Sequence, residues 1–338
     1  MDGKTSEIRP IELDENDLAL AVGDMLSRAQ EQTVRVRRLR RQPSEFATLF
    51  PAEILWVSLD DGTELRLFLK HLGPEQPGQP DKERRDREVR VYETLLLEED
   101  LPVPKYYGSR PNAATGRLEL YLEYIDDWTL KYHVLEHWAT AAQRLAFLHF
   151  HFAARAEALR ACDFLLRLDG AYFAAWAQRA FTALADQSAD LAAQLKVVLT
   201  GYGAVCELLA AQPVTLVHND LAPKNVLAHR SHTPARICLI DWEMAGVGCG
   251  LLDLVHLKYG FDPERGQELL TAYRSGLHGT NLLPNNDREF ARLLAACELH
   301  KTLYRIAHSP AWNLPLTTLA QWVADAQQCL QEVSGGDA

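Results

Sequence analysis

The stretch that most constrains this chain runs from Leu216-Val217-His218-Asn219-Asp220 through Pro223-Lys224-Asn225 to Leu239-Ile240-Asp241-Trp242-Glu243. Residues 214–217 are an apolar run that ends in a polar loop carrying His218, Asp220 and Asn225. Val226-Leu227-Ala228 is apolar again, residues 229–234 have turn composition, and residues 237–240 form another apolar run ending at Asp241. Short apolar runs bounded by turn residues predict a β-hairpin. Such a hairpin delivers Asp220, Asn225 and Asp241 to one end. Two carboxylates and an amide are hard oxygen donors, the type that magnesium takes beside substrate phosphates. A carboxylate left off the metal can accept a hydroxyl proton.

The spacing His218-x-Asp220-x-x-x-x-Asn225, followed by an apolar strand and Asp241-Trp242, resembles the catalytic and metal loops of kinases. Protein kinases place Arg after the His and Phe-Gly after the metal Asp. Here Asn219 and Trp242-Glu243 occupy those positions. Residues 216–227 and 240–254 look more like the aminoglycoside/choline phosphotransferase family, the small-molecule branch of the kinase-like fold. That family commonly has Gly where Asn219 stands. The resemblance implies a two-lobed α+β fold, with a small antiparallel-sheet lobe and a larger, mostly helical lobe. It implies ATP and Mg2+ as nucleotide and cofactor, and transfer of the γ-phosphoryl group to a hydroxyl of a small molecule such as an antibiotic, amino alcohol or sugar. Asp220 is then the base, Asn225 and Asp241 the magnesium ligands, and His218 the residue that orients the loop backbone. Lys224 is a candidate to reach the γ-phosphate. Asp253, twelve residues after Asp241, stands where the family anchors the catalytic loop.

Upstream, residues 52–59 and 63–70 read as two strands joined at Asp60-Asp61-Gly62, a strong hairpin signal. Leu65, Leu67 and Leu69 share one face of the second strand, and Arg66, Phe68 and Lys70 the other. In a kinase-like frame Lys70 is the phosphate-gripping lysine. The following helix, expected over 81–97, offers Glu88 as its ion-pair partner, with Glu93 as the alternate. Residues 105–109 and 117–125 read as strands, and by position Glu123 and Ile125 would supply hinge backbone groups to the base. Protein kinases have Gly-x-Gly-x-x-Gly between their first two strands. Residues 43–48 contain no glycine, so Ser44 or Thr48 is the candidate hydroxyl donor to phosphate.

The expected organisation is an N-terminal extension with a helix at 1–30, a nucleotide-binding small lobe at 31–125, and a catalytic and acceptor-binding large lobe at 126–338. The helix at 15–30 carries Leu18, Ala21, Val22, Met25 and Leu26 at helical spacing and is expected to pack outside the catalytic lobe. A net charge of −11 argues against a general nucleic-acid binder, which needs Lys and Arg for the phosphate backbone. The run with five arginines at 34–41 reads as a solvated strand face. The six cysteines show no zinc or Cys-x-x-Cys spacing and read as core thiols. With a polar N-terminus and no long apolar run, the expectation is a cytoplasmic protein without a membrane span. The acidic balance and the aromatic residues Trp242, Tyr259, Tyr304 and Trp312, with the carboxylates of Glu243 and Glu298, suggest a cationic acceptor. Two readings of other classes stay open: a binding protein of the same fold that has lost turnover, and a protein kinase. The intact Asp220/Asn225/Asp241 set counts against the first. The short span between Trp242 and the next helix counts against the second.

Overall fold

In this computed structural model, the residues described are 14–45, 50–73, 80–126, 135–229, 232 and 235–335. Contacts divide the chain into two compact units: Met1–Trp128 with Leu227–Glu243, and Thr129–Val226 with Met244–Ala338.

The first unit begins with helix α1 (Glu15–Gln30), capped by Asp14, whose carboxylate accepts from the Asn16 amide. Strands β1 (Val36–Pro43), β2 (Ala52–Leu59) and β3 (Glu64–Leu72) follow, then helix α2 (Pro80–Thr94) and strands β4 (Tyr106–Asn112) and β5 (Arg117–Glu123). They form one antiparallel sheet in the order β1-β2-β3-β5-β4. The β2–β3 turn is the Asp60-Asp61-Gly62 hairpin, with Gly62 at φ +87, where an L side chain is strained. The alternation in β3 works as its sequence dictates. Leu67 and Leu69 join Leu55, Val57 and Tyr121 in a buried cluster with Leu18, Val22, Met25 and Leu26 of α1. Helix α1 is therefore part of the core of this unit. Phe68 and Lys70 point to the opposite face. Helix α2 ends at Thr94, ahead of residue 97 where the sequence predicts its end and well before Pro102 and Pro104.

The chain then enters the second unit with α3 (Leu135–Ala153), α4 (Ala156–Ala161), β6 (Leu166–Arg167), α5 (Gly170–Ala185), α6 (Ala189–Ala210) and β7 (Thr215–Val217). Strand β8 (Val226–His229) carries it back into the first unit, where it pairs with β9 (Arg236–Leu239) as the expected hairpin. Leu227, Cys238 and Ile125 bury each other there, with Ile240 packed against them. Residues 227–243 thus group with the sheet-bearing unit, whereas the sequence reading had assigned them to the large lobe. The second unit resumes with β10 (Gly246–Gly248), α7 (Leu251–Leu257), α8 (Pro263–Gly276), α9 (Asp287–His308) and α10 (Leu316–Ser334). Strand β10 pairs parallel to β6 and antiparallel to β7, a small sheet that periodicity did not reveal. Helix α6 has the length and hydropathy of a membrane span, but Leu195, Val198, Tyr202, Val205 and Leu209 are buried inside the unit.

Candidate active site

The first unit carries a charged cluster on the Lys70 face of its sheet. Lys70 ends the alternating run of β3, and Glu88 lies on the buried side of α2. The Lys70 Nζ donates to Glu88 Oε2 at 2.7 Å and to Asp241 Oδ1 at 2.8 Å. Glu93 is not the partner: it accepts from the hydroxyls of Tyr106 and Ser109. Burial pulls the Lys70 ammonium down, but the two carboxylates more than offset this and hold it well above its ordinary range. Burial pushes the Glu88 carboxyl up to about 7; Lys70 works against the shift, whereas Asp241 and Glu243 add to it. Asp241 sits at φ +71, a left-handed turn that Asp tolerates better than most residues.

Glu243 extends this cluster. Its carboxylate lies 3.8 Å from Arg84 Nη1, and its main-chain carbonyl accepts from Arg87 at 2.6 Å. Trp242 is fully buried, and its indole N–H donates to the Leu239 carbonyl at 3.1 Å; it is core, not a cleft wall. Strand β5 ends at Glu123, whose carboxylate accepts from Arg236 at 2.7 Å and from the Lys105 amide at 3.0 Å. Ile125 follows, with its side chain in the apolar cluster under the β8–β9 hairpin. The Ser44 amide donates to the Ala52 carbonyl at 2.8 Å and closes the β1–β2 ladder. Thr48 lies outside the described residues.

The second unit carries the loop after β7. Asp253, fully buried on α7, accepts from the His218 amide at 2.6 Å and the Asn219 amide at 2.7 Å. Its other partner is His149 Nε2 at 3.3 Å, while His149 Nδ1 meets the Tyr273 hydroxyl at 2.7 Å. A carboxylate only accepts, so His149 Nε2 carries the proton of that bond. Burial pushes the Asp253 carboxyl up, but the His149 hydrogen bond and the charges of His149, His218 and Lys301 pull it below its ordinary value. Gly250 makes the approach possible, since a Cβ there would sit 2.6 Å from His149 Nδ1.

The loop closes on itself. The Asp220 amide donates to His218 Nδ1 at 3.3 Å. Asn225, ending a 3₁₀ turn at Pro223–Asn225, donates from Nδ2 to the Asp220 carbonyl at 2.8 Å. This commits the amide nitrogen and leaves Oδ1 as the group able to ligate a cation. Asp220 is partly exposed, with His256 Nε2 at 3.9 Å from Oδ1. Burial, then Lys301 and Arg305, hold His256 well below its ordinary pKa and so neutral. Lys224 is exposed. Among the described residues, no three His, Cys, Asp or Glu side chains form a ready-made metal cage. Magnesium that arrives with phosphate needs only one or two protein carboxylates.

The expected cation-binding wall is taken up by the protein's own cations. Arg305 lies 3.8 Å over the Tyr259 ring and Lys301 Nζ 5.1 Å over Tyr304. Lys258 pairs with Glu298 at 2.5 Å. Tyr259 and Trp312 both keep large exposed surfaces, and Trp312 stacks on His308 at 6.0 Å. Sequence reasoning missed Lys301, Tyr273 and Tyr172, because nothing in their local spacing connects distant helices to the loop.

No curated protein matches this chain. Solved structures do. The microcompartment-associated aminopropanol kinase is 16% identical with a TM-score of 0.58, the match covering 88% of this chain and 94% of that one. Macrolide 2'-phosphotransferase MphH from Brachybacterium faecium is 20% identical with a TM-score of 0.55, covering 93% and 97%. The GDP and kanamycin complex of APH(2")-IIia is 11% identical with a TM-score of 0.54, covering 94% and 100%. At these identities the likeness establishes the kinase-like fold. The phosphotransferase enzyme family profile matches residues 53–294, well over half of the chain. The chain belongs to the phosphotransferase enzyme family, whose members transfer phosphoryl groups to small molecules.

Proposed function

We propose that this protein moves the γ-phosphoryl group of ATP to a hydroxyl of a small molecule, with magnesium as cofactor. The observation that carries the reading is Lys70 Nζ held between Glu88 at 2.7 Å and Asp241 at 2.8 Å. A buried lysine fixed by a helix carboxylate is a preorganised clamp for the α and β phosphates. Asp241 and Asn225 are the magnesium ligands in this reading. Magnesium, when bound, neutralises charge on the phosphate oxygens. Asp220 orients the acceptor hydroxyl and takes its proton. It can do so because Asp253 and Asn225 fix its backbone on both sides. His218 holds the loop, and Lys224 is a mobile-stemmed cation for the γ-phosphate. Ser44 and the main chain of Glu123 and Ile125 complete the nucleotide contacts.

The acceptor is a small hydroxylated molecule. Solved relatives named for aminopropanol, macrolide and aminoglycoside acceptors support that class, and the GDP complex of one supports a nucleotide donor. Because the rings expected to attract a cation already face Lys301 and Arg305, a cationic acceptor loses its side-chain support. Trp312 is the aromatic surface that remains for acceptor contact, and Glu243 stays with Arg84 and Arg87. The net charge of −11 keeps nucleic acid out of the reading. The free thiols suit a reducing, cytoplasmic setting.

The test incubates the protein with magnesium and γ-labelled ATP against macrolides, aminoglycosides, amino alcohols and sugars, beside Asp220→Asn. Label transferred to one acceptor class by wild type, with a loss of about 10²–10⁴ in the variant, is the expected result. Transfer by Asp220→Asn at the wild-type rate refutes the base assignment.

A further inference from the structure

Asn219 occupies a backbone conformation at φ +67. Glycine adopts that region freely, and Asn is among the few other residues that enter it without large strain. The family resemblance puts Gly here. This chain instead has a side chain, and the polar groups of Asn219 are engaged by three different helices. Its amide N–H donates to Asp253 Oδ1 of α7 at 2.7 Å. Its Nδ2 donates to the Tyr172 hydroxyl of α5 at 2.8 Å. Its carbonyl and its Oδ1 both accept from Lys301 Nζ of α9, at 2.9 and 3.3 Å. Lys301 is 1% exposed, and both of its hydrogen-bond acceptors here are neutral oxygens of Asn219. A buried ammonium costs stability unless it is well bonded. Both of the Lys301 bonds go to the residue that precedes Asp220, which points to a role in the loop.

We infer that Lys301 is a positioning residue that, through Asn219, fixes the backbone at Asp220 and ties it to helices α5 and α9. The inference rests on Asp220 as the base of the proposed transfer. Asn219 immediately precedes Asp220, so a shift of the Asn219 carbonyl rotates the peptide that aims the Asp220 side chain. Misplacement of a reacting group by about 1 Å costs on the order of 10²-fold in rate. The groups around Lys301 are Asp253 and His256 from α7, Asp220 from the loop, and Cys297, His300 and Arg305 from its own helix. Burial lowers the Lys301 pKa to about 8, Asp253 and Asp220 opposing the shift. The ammonium that polarises the Asn219 carbonyl is therefore lost at mildly alkaline pH.

The experiment compares wild type, Lys301→Met, Lys301→Arg, Asn219→Gly, the Lys301→Met/Asn219→Gly pair and Asp220→Asn. Two readouts are used: hydrolysis of magnesium ATP with water as acceptor, followed from pH 6 to 10, and amide hydrogen exchange of the peptide spanning 214–227. Lys301→Met is expected to lower kcat roughly 10²-fold with KM for ATP unchanged, to erase the alkaline fall near pH 8, and to speed exchange at 218–220. Lys301→Arg should move that fall upward. The double variant should be no slower than Lys301→Met alone, because the two residues act as a unit. Wild-type kcat in Lys301→Met, an unchanged alkaline limb, or simple additivity overturns the inference. If Lys301→Met does not fold, Asn219→Gly decides: exchange at 218–220 no faster than in wild type overturns the inference, and faster exchange supports it. Asp220→Asn separates the two readings. If it hydrolyses ATP normally, the base assignment fails, while exchange at 218–220 still reports whether Lys301 holds the loop.

Discussion

Replacing Asp253 by Asn removes the charge that anchors the loop after β7 and changes little else. The carboxylate takes two backbone N–H bonds, at 2.6 and 2.7 Å, and one from His149. Hydrogen bonds to a charged group contribute about 1.5–3 kcal/mol each. An Asn offers one oxygen, so one of the two amides meets an NH2 group instead. A buried donor left unsatisfied costs about 1–3 kcal/mol. The summed loss is about 3–5 kcal/mol, the range found when one partner of a buried charged pair is removed. For a unit of this size, 1 kcal/mol corresponds to about 2–4 °C in Tm, so melting should fall by about 6–20 °C. Calorimetric and guanidinium unfolding of both proteins measure this. The variant also tests the sign of the acid response. The folded pKa of Asp253 is lowered, so its contribution is full above the unfolded value and disappears as pH falls through the folded one. The variant should lose that part of the acid transition. A loss under about 1 kcal/mol, or an acid limb identical to wild type, would show that this carboxylate does not hold the loop.

Most of the local structure could be read from the sequence, and most of the long-range wiring could not. The alternation of Leu65, Leu67 and Leu69 against Phe68 and Lys70 dictates which face of β3 is core. The Asp60-Asp61-Gly62 signal dictates its turn. Lys70 and Glu88 could be paired because the family resemblance asks for a helix carboxylate beside that lysine; the alternate, Glu93, bonds Tyr106 and Ser109 instead. The motif spacing placed Asp220 and Asn225 together because they lie five residues apart in one loop. By contrast, the amphipathic stripe of α1 shows that it packs but not against what: Met25 and Leu26 share a cluster with Leu55 and Leu69. Trp242 and Tyr304 looked like cleft aromatics because exposure is not encoded locally. Lys301 was invisible for the same reason: it lies 82 residues from Asn219, and only packing of α9 brings it there.

Three further outcomes are expected. Lys70→Ala and Glu88→Ala should each weaken ATP use, and the double variant should match the poorer single one, since the 2.7 Å pair acts as a unit; additive free energies in steady-state kinetics would show otherwise. Asp241→Ala should abolish the magnesium dependence of ATP affinity in calorimetry, because the phosphate charge loses its metal-bound counterweight; an undiminished dependence would remove Asp241 from the metal. The last outcome concerns alkaline stability, where Lys301 makes folding and catalysis respond in opposite directions. Its folded pKa of about 8 lies below the ordinary lysine value of 10.5. Between these values the unfolded chain binds the extra proton, so this residue's contribution to stability rises with pH across that window. The hydrogen-bonded ammonium that fixes Asn219 disappears over the same window, so turnover should fall there. Relative to Lys301→Met, wild type should therefore gain melting temperature from pH 8 to 10 while losing rate. A parallel decline of both would assign the alkaline loss of rate to unfolding instead of to Lys301.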